Sequence, residues 1–446
     1  MSPAARIWYL RGPMVQLDQV LPPSAAVTAD GHLEVGGCDL VELAERHGTP
    51  LVVYDEGQLR ATAAGYREAF STRAPGTEVI YASKAYWGQA MLRLALEEGL
   101  SVDVASGGEL FAALHAGFPP DRIYMHGNNK DAREIDELLA AGIGTVILDN
   151  FDELAALASA AAQKGVRQRV LVRVTPGVAP STHSYISTGQ VDSKFGFPLP
   201  GGQAKAAIEA AREAQGLDFA GLHAHVGSQL FDLGSYAAAA QALADLAVEV
   251  GPEDIARVNM GGGLGIAYTR EDRPPSIDEY ADVVVGSLRD AWTARGLPVP
   301  ELLVEPGRSM VGRAGVTLYR VGGRKVIPDV RTYLSVDGGM SDHLRPMLYG
   351  SVYEPLLANR VDQEPEETVR IVGKHCESGD VLVQEASLPT AAAGDLVALP
   401  ASGAYGVSMA SNYNGVPRPA VVFVHDGAER VVTRRETYAE LIARDA

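Results

Sequence analysis

The strongest constraint on the fold is a regular alternation of short apolar runs with helix-length amphipathic segments between residues 49 and 310. Short apolar runs bounded by turn residues are typical of buried parallel strands, and each run here is followed by a segment with helical periodicity. The eight runs are EVIYAS, SVDVAS, RIYMHG, TVILDN, RVLVRVTP, DFAGLHAHVGS, RVNMGGG and ELLVEPGR. Eight strand-helix units over about 250 residues predict a (β/α)8 TIM-type barrel.

A second region with a different residue pattern begins after residue 310. There, β-rich runs such as VTLYRVGGRKV and AVVFVHDGAERVV are separated by turn residues. These runs predict an all-β domain, either a sandwich or a β-barrel. The first 48 residues contain LEVGG and no barrel-like helix, so we expect them to add strands to the same domain. The (β/α)8 barrel, residues 49–310, would then be inserted between residues 1–48 and 311–446 of one β-domain.

Composition argues against several classes of function. The 56 acidic and 38 basic residues give a formal charge of -18, which disfavours binding to nucleic acid or to an anionic membrane. The two cysteines, Cys38 and Cys376, are too few for a disulfide framework, and the first residues lack the apolar segment of a signal peptide. No apolar run reaches the roughly 18 residues of a membrane-spanning helix. We therefore expect a cytoplasmic protein with neither nucleic-acid nor membrane partners.

Unusual residues collect where the predicted strands end, which is the face of a (β/α)8 barrel that carries active sites. They are Lys84, Asp103, His126, Asn128, Arg173, His225, Ser228, Gly261, Gly262, Gly263, Gly265, Glu305 and Arg308. In the GGGLG run, backbone N–H groups can converge on a phosphate, although glycine clusters form plain tight turns about as often. An insertion rich in Ser, Thr and Gly at residues 179–202 indicates an active-site loop or lid.

Lys84 ends the first predicted strand, within VIYASKAYW. A lysine at this position could simply extend into solvent. However, a lysine, a phosphate nest and the carboxylate of Glu305, which barrel closure places beside the first strand, are what pyridoxal 5′-phosphate requires. The amine forms a Schiff base, the nest binds the phosphate, and the carboxylate keeps the pyridinium nitrogen protonated. Lys130, Lys194 and Lys374 lie in loops or in the β-domain and are weaker candidates.

Ten motifs in order then carry a resemblance to a known family. They are YASKAY, VDVASGGEL, HGNNK, YISTGQVDSKFGF, GLHAHVGSQ, NMGGGLG, EPGRSMVG, DGGMSDHLRPMLYG, HCESGD and GAYGVSMASNYNG. Through them nearly the whole chain resembles the diaminopimelate decarboxylases of the fold-type III pyridoxal-phosphate enzymes. The resemblance implies decarboxylation of meso-2,6-diaminoheptanedioate (meso-diaminopimelate) to L-lysine and CO2, the last step of lysine biosynthesis. It also implies a homodimer, with each active site between one barrel and the partner's β-domain.

The resemblance assigns a cofactor-binding set. Lys84 would form the Schiff base and His225 would stack on the ring. The phosphate would be bound by Ser228, Gly261, Gly262, Gly263 and the EPGR segment, which comprises Glu305, Pro306, Gly307 and Arg308. Asp103 and Arg173 would support the ring and its O3′ side, with a structural salt bridge as an equal alternative.

A metal site is an alternative interpretation of His225 together with the nearby His223. His223 and His225 are two apart on a predicted strand and would face the same way, so His223 could be a packed core residue or the two could form a metal pair. We expect no metal, because HxH barrel hydrolases carry that pair on the first strand, where this chain has a lysine.

The substrate has two carboxylates and a distal ammonium group that must be matched together. The resemblance implies that Arg308, Arg345 and Tyr349 bind the distal carboxylate, since guanidinium groups pair with it bidentately. Glu377 of the other subunit would bind the ammonium, and Tyr405 would contact cofactor and substrate.

Reprotonation of Cα requires an acid, and Cys376 is the favoured one, with Lys84 as competitor. A thiol with an ordinary pKa of about 8.5 can be tuned to donate near neutrality. The alternative for Cys376 is a small buried apolar residue.

Two rival functions stay open at this point. Another amino-acid decarboxylase of the same fold could act on ornithine, arginine or a carrier-bound substrate, although Arg345 and Glu377 favour a substrate with both charges at its far end. A catalytically inactive cofactor-binding homologue would be expected to have lost Lys84, Glu305 or Cys376, and all three are present.

Overall fold

The computed structural model describes residues 17–178 and 192–445, and the chain divides into two compact units. The barrel unit comprises Thr62–Gly265 and Pro274–Ser309. The β-rich unit comprises the described residues of Met1–Ala61, Ile266–Arg273 and Met310–Ala446. Residues 179–191 of the expected active-site loop lie outside the described residues.

The elements that precede the barrel strands are three short strands, a helix, a fourth strand and a second helix. They are β1 (Ala26–Val27), β2 (Leu33–Val35), β3 (Cys38–Asp39), α1 (Leu40–His47), β4 (Leu51–Asp55) and α2 (Glu56–Arg73). The first three strands form an antiparallel sheet of their own. Helix α1 begins where the Asp39 carboxylate accepts the backbone N–H groups of Val41 and Glu42.

The middle of the chain alternates strands with helices, as the sequence pattern predicts. The strands are β5 (Glu78–Ala82), β6 (Ser101–Val104), β7 (Ile123–Met125), β8 (Thr145–Leu148), β9 (Gln168–Thr175), β10 (Phe197–Pro198), β11 (Leu217–His223), β12 (Arg257–Asn259) and β13 (Glu301–Val304). The helices are α3 (Gln89–Glu97), α4 (Gly107–Ala116), α5 (Ala132–Ala141), α6 (Phe151–Lys164), α7 (Gln203–Glu213), α8 (Gly234–Val250), α9 (Ile277–Thr293) and α10 (Arg308–Val311).

Eight of these strands close into a parallel barrel. The ring runs β5-β6-β7-β8-β9-β11-β12-β13 and returns to β5, while the two-residue strand β10 pairs with β9 outside the ring. Side chains from strands on opposite sides of the ring, including Ile80, Ile147 and Leu171, form one hydrophobic cluster, so they fill the interior of the barrel. The predicted TIM-type fold is confirmed, and all eight predicted strands are present.

The β-rich unit continues after the barrel. Its remaining elements are β14 (Gly315–Ile327), β15 (Arg331–Val336), α11 (Arg345–Tyr349), β16 (Leu356–Leu357), β17 (Glu367–Val372), β18 (Val381–Leu388), β19 (Leu396–Leu399), β20 (Ala420–His425), β21 (Ala428–Thr433) and α12 (Tyr438–Leu441). Strand β14 pairs with β4, β15 and β19 in a nine-stranded sheet. One large hydrophobic cluster, which includes Val53, Leu318 and Val422, forms its core.

Strand β4 shows how the units are divided. It pairs antiparallel with β14 and parallel with β20, and within residues 17–178 and 192–445 it makes no ladder with a barrel strand. The compact β-rich unit therefore extends past residue 49, where the sequence pattern had placed the start of the barrel domain. Throughout the described residues, no helix has the length and apolar character needed to cross a membrane.

Candidate active site

The residues singled out from the sequence fall into two groups, one in each compact unit. The barrel unit carries Lys84, Asp103, Arg173, His225, Ser228, Gly261, Gly262, Gly263, Glu305, Pro306, Gly307 and Arg308. The β-rich unit carries Arg345, Tyr349, Cys376, Glu377 and Tyr405.

Lys84 lies on a single 3-10 turn, Ser83–Ala85, directly after β5. Its side chain is exposed, while the residues on either side of it are buried. The hydroxyl of Tyr81 donates to the carbonyl of Tyr86 at 2.9 Å, and the amide of Ala82 donates to the carbonyl of Pro306 at 3.0 Å. These two bonds fix the backbone on both sides of Lys84, so that its amine projects from a rigid base.

Lys130, a competing lysine, has a structural environment instead. Its ammonium group is buried and donates to the carbonyls of Gly127 and Ile147 and to the carboxylate of Glu153 at 2.8 Å. With three acceptors in place, it is unsuited to bind a cofactor aldehyde.

The glycine run after β12 allows two loops to approach closely. A Cβ atom on Gly262 would lie 2.0 Å from the carbonyl oxygen of Glu305, and Gly263, at φ +122°, faces the carbonyl of Gly227. The amide of Gly261 donates to Asn259 and that of Gly262 to Nδ1 of His225, so these two N–H groups already have acceptors within the protein. The glycines therefore shape the loop, and the amides of Gly261 and Gly262 are used to hold that shape.

The guanidinium of Arg308 provides a cation beside this loop. Its Nη2 donates to the hydroxyl of Ser228 at 2.8 Å. A guanidinium next to a hydroxyl and a glycine turn is a suitable environment for a phosphate.

Glu305, which follows β13, is buried and accepts three hydrogen bonds. Oε1 is 2.7 Å from Nδ2 of Asn259 and 2.8 Å from Nε2 of His126, and Oε2 is 3.1 Å from Nε2 of His223. Burial would raise the pKa of this carboxyl, but the two histidines outweigh burial and hold the pKa of Glu305 well below its usual range.

Asp103 on β6 has the opposite ionisation behaviour. Burial, assisted by the negative charge of Glu305, raises the pKa of Asp103 well above its ordinary value. Burial and the charge of Lys84 lower the pKa of His225 well below its ordinary value, so the imidazole is neutral. Because His225 Nδ1 accepts from Gly262, its proton is on Nε2. The carboxyl ends of the barrel strands thus place the ionised Glu305, the Asp103 carboxyl with its raised pKa and a neutral imidazole in the same unit as Lys84.

The structure supports the salt-bridge alternative for Arg173. Its guanidinium lies 3.7 Å from the carboxylate of Asp149 and stacks over the ring of Phe195 at 4.4 Å from the centroid. Burial lowers its pKa and Asp149 opposes that effect.

In the β-rich unit, Arg345 is enclosed by tyrosines. Its Nη1 donates to the hydroxyls of Tyr268 at 2.6 Å and Tyr353 at 2.9 Å, and its guanidinium lies 5.6 Å from the ring centroid of Tyr405. Tyr405 has φ +69°, a left-handed backbone conformation that is strained for a bulky residue. Tyr349 is half-buried at the end of the same one-turn helix as Arg345.

Cys376 and Glu377 lie in the 375–380 turn, which comprises residues His375 to Asp380. Both side chains are exposed, so the alternative of a buried apolar cysteine is wrong for Cys376 and fits Cys38, which is buried. Beneath them the carboxylate of Asp380 accepts from the amide of Met340 at 2.7 Å and from the amide and Nδ1 of His375. The turn is therefore anchored from below.

Three residues near Glu305 were missed or under-weighted in the sequence. His126 was noted only as a strand end, His223 was interpreted as core packing or as half of a metal pair, and Asn259 was not considered. A polar residue at the end of three different strands was the available signal, but only barrel closure shows that they converge on one carboxylate. His126, His223 and Glu305 also have ligand atoms within 4.8 Å of one another, a spacing compatible with a metal ion, but hydrogen bonding to the carboxylate accounts for it.

These residues fit pyridoxal 5′-phosphate. An exposed lysine amine on a fixed turn suits the aldehyde, the Arg308–Ser228 pair beside the glycine loop suits the phosphate, and ionised Glu305 suits the ring nitrogen. The glycine loop has no space for side chains, because a Cβ atom on Gly261, Gly262 or Gly263 would meet the backbone of neighbouring loops of the barrel unit.

Comparison with known proteins agrees with this class. Residues 56–312 match the family described as pyridoxal-dependent decarboxylase, pyridoxal binding domain. The diaminopimelate decarboxylase of Bacillus subtilis is 47% identical over 418 residues, covering 93% of this chain and 95% of that protein. The enzyme of the same name from Mycobacterium tuberculosis H37Rv is 45% identical over 422 residues, covering 92% and 94%.

Solved structures give the same result. The diaminopimelate decarboxylase of M. jannaschii in complex with L-lysine superposes with a TM-score of 0.88 at 35% identity, covering 95% of this chain and 98% of that one. The chain belongs to the diaminopimelate decarboxylase family of pyridoxal-dependent decarboxylases.

Proposed function

We propose that this protein is a carboxy-lyase that converts meso-2,6-diaminoheptanedioate to L-lysine and CO2 with pyridoxal 5′-phosphate as cofactor. One observation carries the proposal. At the carboxyl ends of the barrel strands, here called the barrel end, Lys84 lies on a fixed turn near an ionised, buried Glu305. The relatives named above support the choice of substrate, and the M. jannaschii enzyme was crystallised with L-lysine.

The residues of the barrel unit hold the cofactor. Lys84 supplies the amine, His225 supplies a neutral ring surface, and Ser228 and Arg308 supply donors to the phosphate beside the glycine loop. Asp103 and Arg173 complete the set on the ring side. When bound, pyridoxal phosphate withdraws electrons from the substrate's Cα, so that the bond from Cα to the carboxylate can break.

The residues of the β-rich unit recognise the far end of the substrate. Arg345 is pinned by two tyrosine hydroxyls, so its guanidinium is oriented before a carboxylate binds. Tyr349 and Tyr405 accompany Arg345 in the same unit, and Glu377 binds the distal ammonium. After CO2 leaves, Cys376 gives its thiol proton to Cα, with Lys84 as the alternative donor.

We further propose a homodimer in which the 375–380 turn of one subunit completes the barrel site of the other. The exposure of Cys376 and Glu377 supports this assignment, because both reactive side chains face outward from an anchored turn. We place the enzyme in the cytoplasm, where a chain with two unpaired cysteines remains reduced.

A direct assay tests the function. Purified protein with pyridoxal phosphate should release CO2 and L-lysine in equal amounts from meso-diaminopimelate. Ornithine, arginine and lysine are the comparison substrates, and faster turnover of any of them would replace the proposed substrate.

Mixing two inactive variants tests the shared site. If Lys84→Ala and Glu377→Ala subunits exchange at random, each mixed dimer has one intact site, so up to about a quarter of the wild-type activity should return. No recovery after demonstrated subunit exchange would show that each site is built from one chain.

A further inference from the structure

The buried carboxylate of Glu305 has an unusual set of partners, which we call the Glu305 donor set: His126, His223 and Asn259. They come from the ends of three different barrel strands, β7, β11 and β12. All three donate to one residue, at distances of 2.7–3.1 Å. The orientation of Asn259 is fixed, because its Oδ1 accepts the amide of Gly261 at 2.9 Å and its Nδ2 therefore faces Glu305.

The Glu305 donor set stabilises the negative charge of the Glu305 carboxylate without neutralising it. Burial lowers the pKa of His223 to about 4 and lowers the pKa of His126, so both imidazoles are neutral at neutral pH and each donates one Nε2–H. Hydrogen bonds from neutral donors favour the ionised form of a carboxyl but leave its net charge in place. A buried charge of this kind is costly unless a cation is paired with it.

We propose that His126, His223 and Asn259 are positioning residues that keep Glu305 ionised and correctly oriented for the protonated ring nitrogen of the cofactor. The inference rests on the proposed use of pyridoxal phosphate and adds the groups that prepare Glu305 for it. Protonation of the ring nitrogen makes the ring an electron acceptor. By keeping Glu305 ionised, the Glu305 donor set therefore determines how strongly the site favours that protonated form.

Comparing the affinities for two cofactor ligands distinguishes this positioning role from a merely structural one. Cofactor-free protein is titrated with pyridoxal 5′-phosphate and with its 1-deaza analogue, in which carbon replaces the ring nitrogen, and binding is followed by intrinsic fluorescence. His223→Leu and His126→Leu each remove one donor to a charged acceptor, so affinity for pyridoxal phosphate should fall about tenfold to a hundredfold. Affinity for the deaza analogue should stay unchanged, which also shows that the variants are folded.

Conservative variants and a double-mutant cycle complete the test. His223→Gln and His126→Gln keep an N–H donor and should recover most of the affinity. In a Glu305→Gln background, His223→Leu should have no further effect on the affinity for pyridoxal phosphate.

Equal weakening of both ligands by the Leu variants would overturn the inference, because it would mean that the histidines only maintain the shape of the site. Unchanged affinity for both ligands would overturn it as well. Failure of the wild-type protein to bind pyridoxal phosphate would overturn the proposed function together with the inference.

Discussion

The barrel end and the 375–380 turn each contain a buried carboxylate with three donors, but they use it differently. Glu305 receives side-chain donors from three strands, and in the proposed function it is the group that pairs with the cofactor's ring nitrogen. Asp380 receives two backbone amides and the His375 ring, and the reactive side chains beside it, Cys376 and Glu377, are exposed. One carboxylate is therefore prepared for a ligand, while the other fixes the backbone of a turn.

This difference predicts where substitutions act. Side-chain donors can be changed without altering the backbone, so the ionisation of Glu305 can be tuned residue by residue. Backbone donors tie Asp380 to the fold, so the turn presents Cys376 and Glu377 in a fixed position while leaving their side chains accessible. The barrel end should control cofactor affinity, and the turn should control proton transfer and substrate choice.

The largest effect is expected at Lys84. Lys84→Arg retains the charge but removes the amine nucleophile, so activity should fall by on the order of 10³-fold or more. Borohydride reduction should add the mass of the cofactor to the wild-type chain and not to the variant, as measured by intact mass spectrometry. The control is Lys164→Arg, which changes an exposed lysine at the end of α6 in the same way. Full activity or a retained mass increase in the Lys84 variant would contradict the assignment.

The next effect is expected at Cys376. Loss of a general acid typically slows the step that it serves by about 10²- to 10⁴-fold, so Cys376→Ala should become limited by protonation of Cα. Turnover in D2O should then show a larger solvent isotope effect than in the wild type. Cys38→Ala removes the buried cysteine and is the matched control, with unchanged kinetics expected. A wild-type rate and isotope effect in Cys376→Ala would transfer the role to Lys84 or water.

The barrel fold and part of the candidate site could be predicted from the sequence. The contacts that could not be predicted depend on long-range pairing of strands. Strand and helix periodicity is local, so the barrel and the strand-end positions of Lys84 and Glu305 were predicted correctly. Convergence of side chains from several strands on Glu305 depends on barrel closure and register, which local pattern does not encode. Strand β4 is a second case, because its pairing with β14 and β20 joins segments far apart in the chain.

A smaller effect is expected from the tyrosines around Arg345. Tyr268→Phe and Tyr353→Phe each remove one hydrogen bond to a charged group, so kcat/KM for diaminopimelate should fall about tenfold, chiefly through KM. Affinity for pyridoxal phosphate should not change, because neither Tyr268 nor Tyr353 is assigned to the cofactor. Tyr438→Phe, at an exposed position, is the control. An equal loss of cofactor affinity would remove the proposed division of roles between the two regions.

The smallest effect concerns a buried pair in the β-rich unit, Asp342 and His343. Burial raises the pKa of Asp342 to about 7, and burial with the charge of Arg345 lowers the pKa of His343 to about 3. The unfolded values are about 3.9 and 6.5. Between about pH 4 and 6.5 the native Asp342 therefore binds a proton that the unfolded residue lacks, while the native His343 lacks a proton that the unfolded residue binds. Their contributions to the pH dependence of stability have opposite signs and cancel.

Single substitutions should reveal each contribution. Asp342→Asn leaves His343 alone, so stability should decrease as the pH falls from about 6.5 to 4, by about 1.4 kcal/mol per pH unit relative to the wild type. His343→Gln leaves Asp342 alone, so stability should decrease as the pH rises through the same window. Urea midpoints at about pH 4.5, 5.5 and 6.5 measure both slopes relative to the wild type. Parallel pH profiles for all three proteins would show that neither group has a shifted pKa. Slopes of the same sign would show that one of the two directions is wrong.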